Sequence, residues 1–416
     1  MKRLFVLAAL LAALLAGCTA NGDDPTYYQD VQPIVQTYCV RCHFEGGLGA
    51  GDWTDADTVV ALGETLVNAV EAGRMPPPAS DPECRDYAGS HQLVMSAEAK
   101  TTLREWVDAG KPLGNPAEAV DGDPVAPTLA DADTEFRMAA PYTPNFDDPN
   151  FPGNEYRCFV LPNDATEPFF VTGLSPLVDA QEIAHHIVIS RIDKDAALPD
   201  HVAEEGFECS NFNILEDMLA GWAPGMAPVE LPEGYGMRVA PDQNLIMQMH
   251  YYESDPTQTF SDQSGYAFRT TDAVDLNTLM IPLGSFNWTI PAGDDSFTDH
   301  GSVSLAGMGI PVDVDLFGVF PHMHVLGDSW RYWIEHDDGS TTCLSESDKY
   351  DFDNQMTYMW NDPPRVVGTD RIHFECTWNN STSNPDRVYD EPRDTGFGEG
   401  TDEEMCFMFT YGAAAN

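Results

Sequence analysis

Apolar positions recur along this chain at two different periods, and the change of period divides it. Near the start the spacing is helical. Val31, Val35 and Tyr38 share one face, with Asp30 placed to cap the helix and Pro33 tolerated in its first turn. Val59, Leu62, Leu66 and Val70 predict a second amphipathic helix that stops at Gly73. Leu103, Trp106 and Val107 predict a third, ended by Gly110-Lys111-Pro112. Residues 115–135 are rich in Pro, Ala, Asp and Gly without periodicity, and read as a linker. From about Phe136 onward, short alternating runs are broken by Gly, Pro, Asp and Asn, which predicts all-β sandwich structure.

The first residues follow neither pattern. Met1-Lys2-Arg3 precedes an apolar run from Leu4 to Ala16, too short to span a bilayer, and then Gly17-Cys18. This is a secretory signal, and Leu15-Ala16-Gly17-Cys18 resembles a bacterial lipobox. The expectation is a signal peptide over 1–17, an acylated Cys18 and a tether over 18–26. The mature protein would be exported and lipid-anchored, at the periplasmic face or outer membrane of a Gram-negative bacterium. At 43% hydrophobic and 11% aromatic over 416 residues, the body can build sizeable cores. With 20 Lys+Arg against 68 Asp+Glu the net charge is −48, which excludes nucleic acid and anionic lipid surfaces as partners. Membrane contact is expected through the lipid alone.

Export places the cysteines in an oxidising compartment. Beyond Cys18, the sequence Cys39-Val40-Arg41-Cys42-His43 has the C-x-x-C-H spacing of covalent c-type haem attachment. Two thiols bind the haem edge and the adjacent His43 reaches the iron. Residues 27–114 are therefore expected to form a small all-α cytochrome c domain. Met75, in Arg74-Met75-Pro76-Pro77-Pro78, looks like the distal ligand of a small cytochrome c, with His91 as its competitor. His/Met ligation closes both axial positions and suits electron transfer. The remaining cysteines are Cys84, Cys158, Cys209, Cys343, Cys376 and Cys406, an even set whose pairing spacing alone does not give.

Three strand-like runs in the second part carry histidines: Ile183 to Ile189 with His185 and His186, Leu245 to Tyr252 with His250, and Phe320 to Gly327 with His322 and His324. In an extended chain His322 and His324 point the same way, whereas His185 and His186 need a twist or bulge to share an ion. His91, His201, His300, His336 and His373 have no partner motif and read as surface or structural. The order His-His, Gln-x-His-Tyr, His-x-His-x-x-Gly and Glu404-Met405-Cys406 resembles the copper type II, ascorbate-dependent monooxygenases, the family of peptidylglycine α-hydroxylating and dopamine β-monooxygenase. Ala220 to Gly225 and Leu231 to Gly236 fit the same resemblance, which covers roughly 150–412.

The resemblance implies two jelly-roll-like sandwiches, 136–271 and 272–416, facing a cleft. It implies one copper on His185, His186 and His250, and a second, catalytic copper on His322, His324 and Met405, where the soft thioether favours Cu(I). It also implies a Cys376–Cys406 disulfide; of the other pairings, Cys158 with Cys209 is preferred. O2, a small organic substrate and a reductant would be the partners. That reductant would be ascorbate, another donor or a redox protein, acting through the fused haem. Phe320 stands where the peptide enzyme has an arginine for its substrate carboxylate, and Phe407 and Phe409 replace its asparagine and tyrosine. An Arg-to-Phe change removes a bidentate grip, so an apolar or aromatic substrate is expected. The alternative is a non-hydroxylating electron-transfer or copper-handling lipoprotein on the same scaffold. A zinc hydrolase fits less well, because zinc catalysis wants a carboxylate base and rarely uses Met.

Overall fold

The computed structural model describes residues 24–47, 49–147, 153–198, 205–209, 217–253, 255–398 and 400–415; the signal segment, Cys18 and His201 lie outside them. Helix Ala56–Glu71 begins at Asp55, whose carboxylate accepts the Thr58 N–H at 2.9 Å. Its buried face is Val59, Leu66, Val67 and Val70, and Gly73 at φ +66° follows its end. Helix Ala97–Asp108 starts at Ser96, whose hydroxyl accepts the Ala99 N–H at 3.1 Å, and buries Leu103 and Trp106. Pro33 sits in the first turn of helix Gln32–Tyr38. Asp30 does not cap that helix. It lies inside the preceding helical turn Tyr27–Val31 and accepts the Thr26 N–H at 2.7 Å, so it lacks the extended geometry a cap needs. Tyr27, Val31, Val35, Leu66, Leu103 and Trp106 close one apolar core.

The 115–135 stretch runs back over this helical unit. Gly122 N–H donates to Gln36 Oε1 at 2.6 Å and Asp123 N–H to Thr37 Oγ1 at 2.9 Å. Beyond it the chain is β. One sheet of five strands has Gln243–Tyr252 between Asn154–Leu161 and Ala184–Asp193. A four-stranded sheet contains Phe297–Val303, Arg371–Trp378, Gly327–Glu335 and Thr341–Ser347. The third sheet, of ten strands, belongs to both halves. Tyr235 and Gly236 pair in parallel with Leu276 and Asn277, joining Tyr235–Val239 to Leu276–Gly284. Leu174, Ile189, Met247, Phe317, Tyr332 and Phe374, drawn from these three sheets, share one buried cluster.

Three disulfides form among the described residues: Cys158–Cys209, Cys376–Cys406 and Cys84–Cys343. The last fastens the segment after the Pro-rich loop to the four-stranded sheet. Around it Asp81 N–H donates to the Glu346 carbonyl and Ala88 N–H to the Met359 carbonyl, both at 2.8 Å. The Tyr87 ring stands 4.8 Å from Tyr358. The helical unit is docked on the second half, not merely tethered to it. Because Cys84 and Cys343 lie 259 positions apart, their bond strongly restricts the unfolded chain. Replacing both by Ser is expected to cost about 3–5 kcal/mol, measured as a lower denaturant midpoint. Proteolysis should then begin between residues 79 and 88.

Candidate functional site

Strand Ala184–Asp193 pairs with Gln243–Tyr252, but the register slips: Ala184 faces Tyr251 while His186 faces His250. His185 is the extra residue of a bulge, and the bulge turns two adjacent imidazoles to one side. One nitrogen from each of His185, His186 and His250 falls within 4.8 Å of the others. The His185 and His250 Nδ1 atoms are 3.3 Å apart. Outside this triangle His185 Nε2 donates to Asp353 Oδ1 at 2.9 Å and His250 Nε2 to Asn154 Oδ1 at 2.8 Å. Those bonds put the ring protons on the outer nitrogens, so two lone pairs face each other across the gap. A cation between them resolves that repulsion. His186 differs: its Nε2 accepts from Gln355 Nε2 at 2.8 Å.

The second set forms where strand Val314–His322 ends. His324 lies past the strand end, yet its ring centre is 5.1 Å from that of His322. His322 Nδ1 donates to Gln355 Oε1 at 2.6 Å and His324 Nδ1 to the Glu403 carbonyl at 3.0 Å. Both Nε2 lone pairs are thereby left for a metal. Met405, buried, lines the same pocket as both histidines. Glu404 ties this set together. Its carboxylate accepts the backbone N–H groups of His324 (2.9 Å), Leu326 (2.6 Å) and Met405 (3.3 Å) and the Trp378 indole N–H (2.9 Å). Burial raises its pKa to about 8 against the pull of those donors. The sequence motif contains Glu404 but says nothing of this work, because three of its four partners are distant in the chain.

Burial also fixes the charge of four of the imidazoles. It lowers the pKa of His322 to about 4 and that of His324 to about 3, and drives His186 and His250 well below the ordinary value. These four rings are neutral at pH 7, the form that binds metal.

Both sets open onto one pocket, whose walls include Tyr156, Ile187, Met218, Trp222, Phe320 and Phe409. No Lys, Arg, Asp or Glu is among its described lining residues. Gly221 is required there: a Cβ on it would come within 2.8 Å of the Phe320 ring. The loop over residues 350–356 closes the space between the sets. Phe352 packs against His185, His186 and His324, with ring centres 5.4, 5.1 and 6.0 Å away.

The same loop meets the C-x-x-C-H segment. Arg41 Nη2 donates to Asn354 Oδ1 at 3.2 Å, and Asn354 Nδ2 donates to the Pro78 carbonyl at 2.9 Å. Arg41 Nη1 reaches the Gly225 carbonyl at 3.5 Å, so the segment touches both halves. Cys39 and Cys42 are free thiols, and burial pushes the Cys39 pKa up to about 12. His43 Nδ1 donates to the Ala50 carbonyl at 2.9 Å and its ring stacks on Trp53 at 3.9 Å, leaving Nε2 for a metal. Burial lowers its pKa and keeps it neutral. Met75 is 38% exposed and lines a separate cavity, whose walls include none of Cys39, Cys42 and His43. His91 is paired with Asp123 at 2.9 Å. His300 and His373 stack on Trp333, and His336 bonds Asp370.

Comparison with known proteins gives the family. The N-terminal domain model of the copper type II ascorbate-dependent monooxygenases matches residues 143–258, and the C-terminal domain model matches 278–412. A mouse (Mus musculus) relative, DBH-like monooxygenase protein 2, is 22% identical over 248 residues, covering 56% of this chain and 39% of that protein. Among solved structures, the major capsid protein P2 of bacteriophage PM2 is 10% identical over 68% of this chain and 98% of its own, with a TM-score of 0.25. The infectious bursal disease virus VP2 subviral particle is 9% identical over 70% and 73%, at 0.16. Neither likeness bears on the fold at those scores. The two domain models lie in the family's order, together cover more than half of the chain, and enclose all five histidines and Met405: this protein belongs to the copper type II ascorbate-dependent monooxygenases.

Proposed function

We propose that the protein is a copper-dependent monooxygenase that hydroxylates a C–H bond of a small, uncharged, apolar or aromatic molecule with O2. His185, His186 and His250 would hold one copper and His322, His324 and Met405 the other. The observation that carries this reading is the set of outer hydrogen bonds that leave inward lone pairs on the imidazoles of His185, His250, His322 and His324, beside the buried thioether of Met405. Bound copper supplies one-electron redox chemistry and O2 activation. The chain's own part is orientation and exclusion of water. Asn154, Asp353, Gln355 and the Glu403 carbonyl aim the rings, while Phe320, Phe409 and Trp222 keep the pocket apolar. With Phe320 in the wall, a carboxylated substrate finds no cationic partner there.

In this reading Cys39, Cys42 and His43 carry a c-type haem on the docked helical unit, and the haem is the entry point for electrons; Met75, in its separate cavity, is not brought to them. The free thiols and the His43 tautomer support the attachment. Ascorbate, or a redox partner protein, is the external donor. The three disulfides support an oxidising compartment, with the chain held at the membrane through a lipid on Cys18.

The test is the copper and haem content of the purified protein, with O2 uptake assayed under reductant before and after copper depletion. Two coppers and one haem per chain, a type 2 Cu(II) resonance and O2 uptake lost on depletion are expected. Copper without O2 consumption would reject the monooxygenase. Unchanged turnover with a respiratory donor after Cys39 and Cys42 are replaced by Ala would reject the haem as electron entry.

A further inference from the structure

We propose that Gln355 is a positioning residue shared by the two histidine sets, and that its single amide supports metal binding at one set while competing with it at the other. The proposal rests on the copper reading above. Gln355 is 1% exposed. Its Oε1 accepts from His322 Nδ1 at 2.6 Å, and its Nε2 donates to His186 Nε2 at 2.8 Å and to the Phe352 carbonyl at 2.9 Å. An amide has one accepting end and one donating end. The two histidines therefore receive opposite treatment from one side chain.

At His322 the carbonyl end holds the proton on Nδ1 and presents the Nε2 lone pair outward. Losing such an outer partner costs ~10–100-fold in metal affinity. At His186 the donating end occupies a lone pair. A metal at Nε2 must displace the amide directly. A metal at Nδ1 sends the ring proton to Nε2, where it meets the amide N–H. Either way the bond from Gln355 is broken, and removing that competition is worth ~3–10-fold in affinity.

The loop that carries Gln355 is held from the helical unit. Arg41 and the Pro78 carbonyl bind Asn354, and Arg41 Nη1 also reaches Met356 Sδ at 3.7 Å. The residues on both sides of Gln355 are thus fixed from outside either sandwich half. The docked unit sets the amide that the two sets share.

The experiment replaces Gln355 with Leu, which keeps its bulk and removes both ends of the amide. Each set is measured alone: His322→Ala leaves the three-histidine set, and His250→Ala leaves the Met405 set. Anaerobic competition for Cu(I) against a chromophoric chelator gives the affinities. Gln355→Leu is expected to weaken the Met405 set ~10–100-fold and to strengthen the three-histidine set ~3–10-fold. General loosening of the structure moves both down. Gln355→Glu keeps an acceptor for His322 and is expected to hold the Met405 set within ~3-fold of the parent, a rescue that loosened packing does not produce. Affinities that fall together, or do not change, overturn the proposal while leaving the copper reading intact. A parent that binds no Cu(I) in either background overturns both.

Discussion

Met405→Leu is expected to lower turnover more than ~100-fold, beyond what losing an outer partner of a ligand costs, while leaving the fold in place. The two side chains are close in volume, and such buried exchanges usually cost less than ~1.5 kcal/mol. What disappears is the sulfur, and with it the soft donor that favours Cu(I). The three-histidine set is untouched, so the Cu(II) resonance of that copper should persist. A steady-state assay with a melting curve on the same preparation checks both halves. Retained turnover would remove Met405 from the site.

Glu404→Ala is expected to have the largest effect on stability. The carboxylate is fully buried and accepts from His324, Leu326, Met405 and Trp378. Without it those N–H groups lose their partner in a closed interior. Each unsatisfied buried donor costs about 1–3 kcal/mol, and neighbouring losses do not add fully. A total of about 4–6 kcal/mol, or for a cooperative body of this length a fall in Tm of roughly 5–7 °C, is expected. Glu404→Gln keeps one oxygen and should fall between the two. A scanning calorimetry series settles it, and copper loss from the Met405 set should track the loss in Tm, because Glu404 binds the segments that carry both His324 and Met405.

Much of this was legible in the sequence, and the pattern of what was not is physical. Helix Ala97–Asp108 follows from its own spacing and from Ser96, because capping is local. Asp30 misled for the same reason: its neighbours fit a cap, but the chain is already helical before it. The histidine runs and Glu404-Met405-Cys406 were readable through resemblance, whose order carried the ligand sets. Adjacent His185 and His186 signalled a bulge, since alternation alone would separate them, and the slip at Ala184 supplies it. Gln355, Asn354 and Arg41 could not be read in advance. Asn354 and Gln355 sit in a loop without periodicity, and their partners lie 313 and 169 positions away in sequence, for Arg41 and His186. Cys84–Cys343 is invisible for the same reason: only the docked fold brings the two thiols together.

The parallel join between Tyr235–Gly236 and Leu276–Asn277 also has a mechanical meaning. Two sandwiches linked by a plain loop can rock about it, widening or narrowing the gap between them. Here a strand of one half is hydrogen-bonded to a strand of the other, so the ten-stranded sheet is a common plate and rocking would have to tear its pairing. The 350–356 loop lies across the gap that this plate spans, with Phe352 packed against His185, His186 and His324. Parting the halves would uncover a sheet edge on each side, at Tyr235–Gly236 and at Leu276–Asn277.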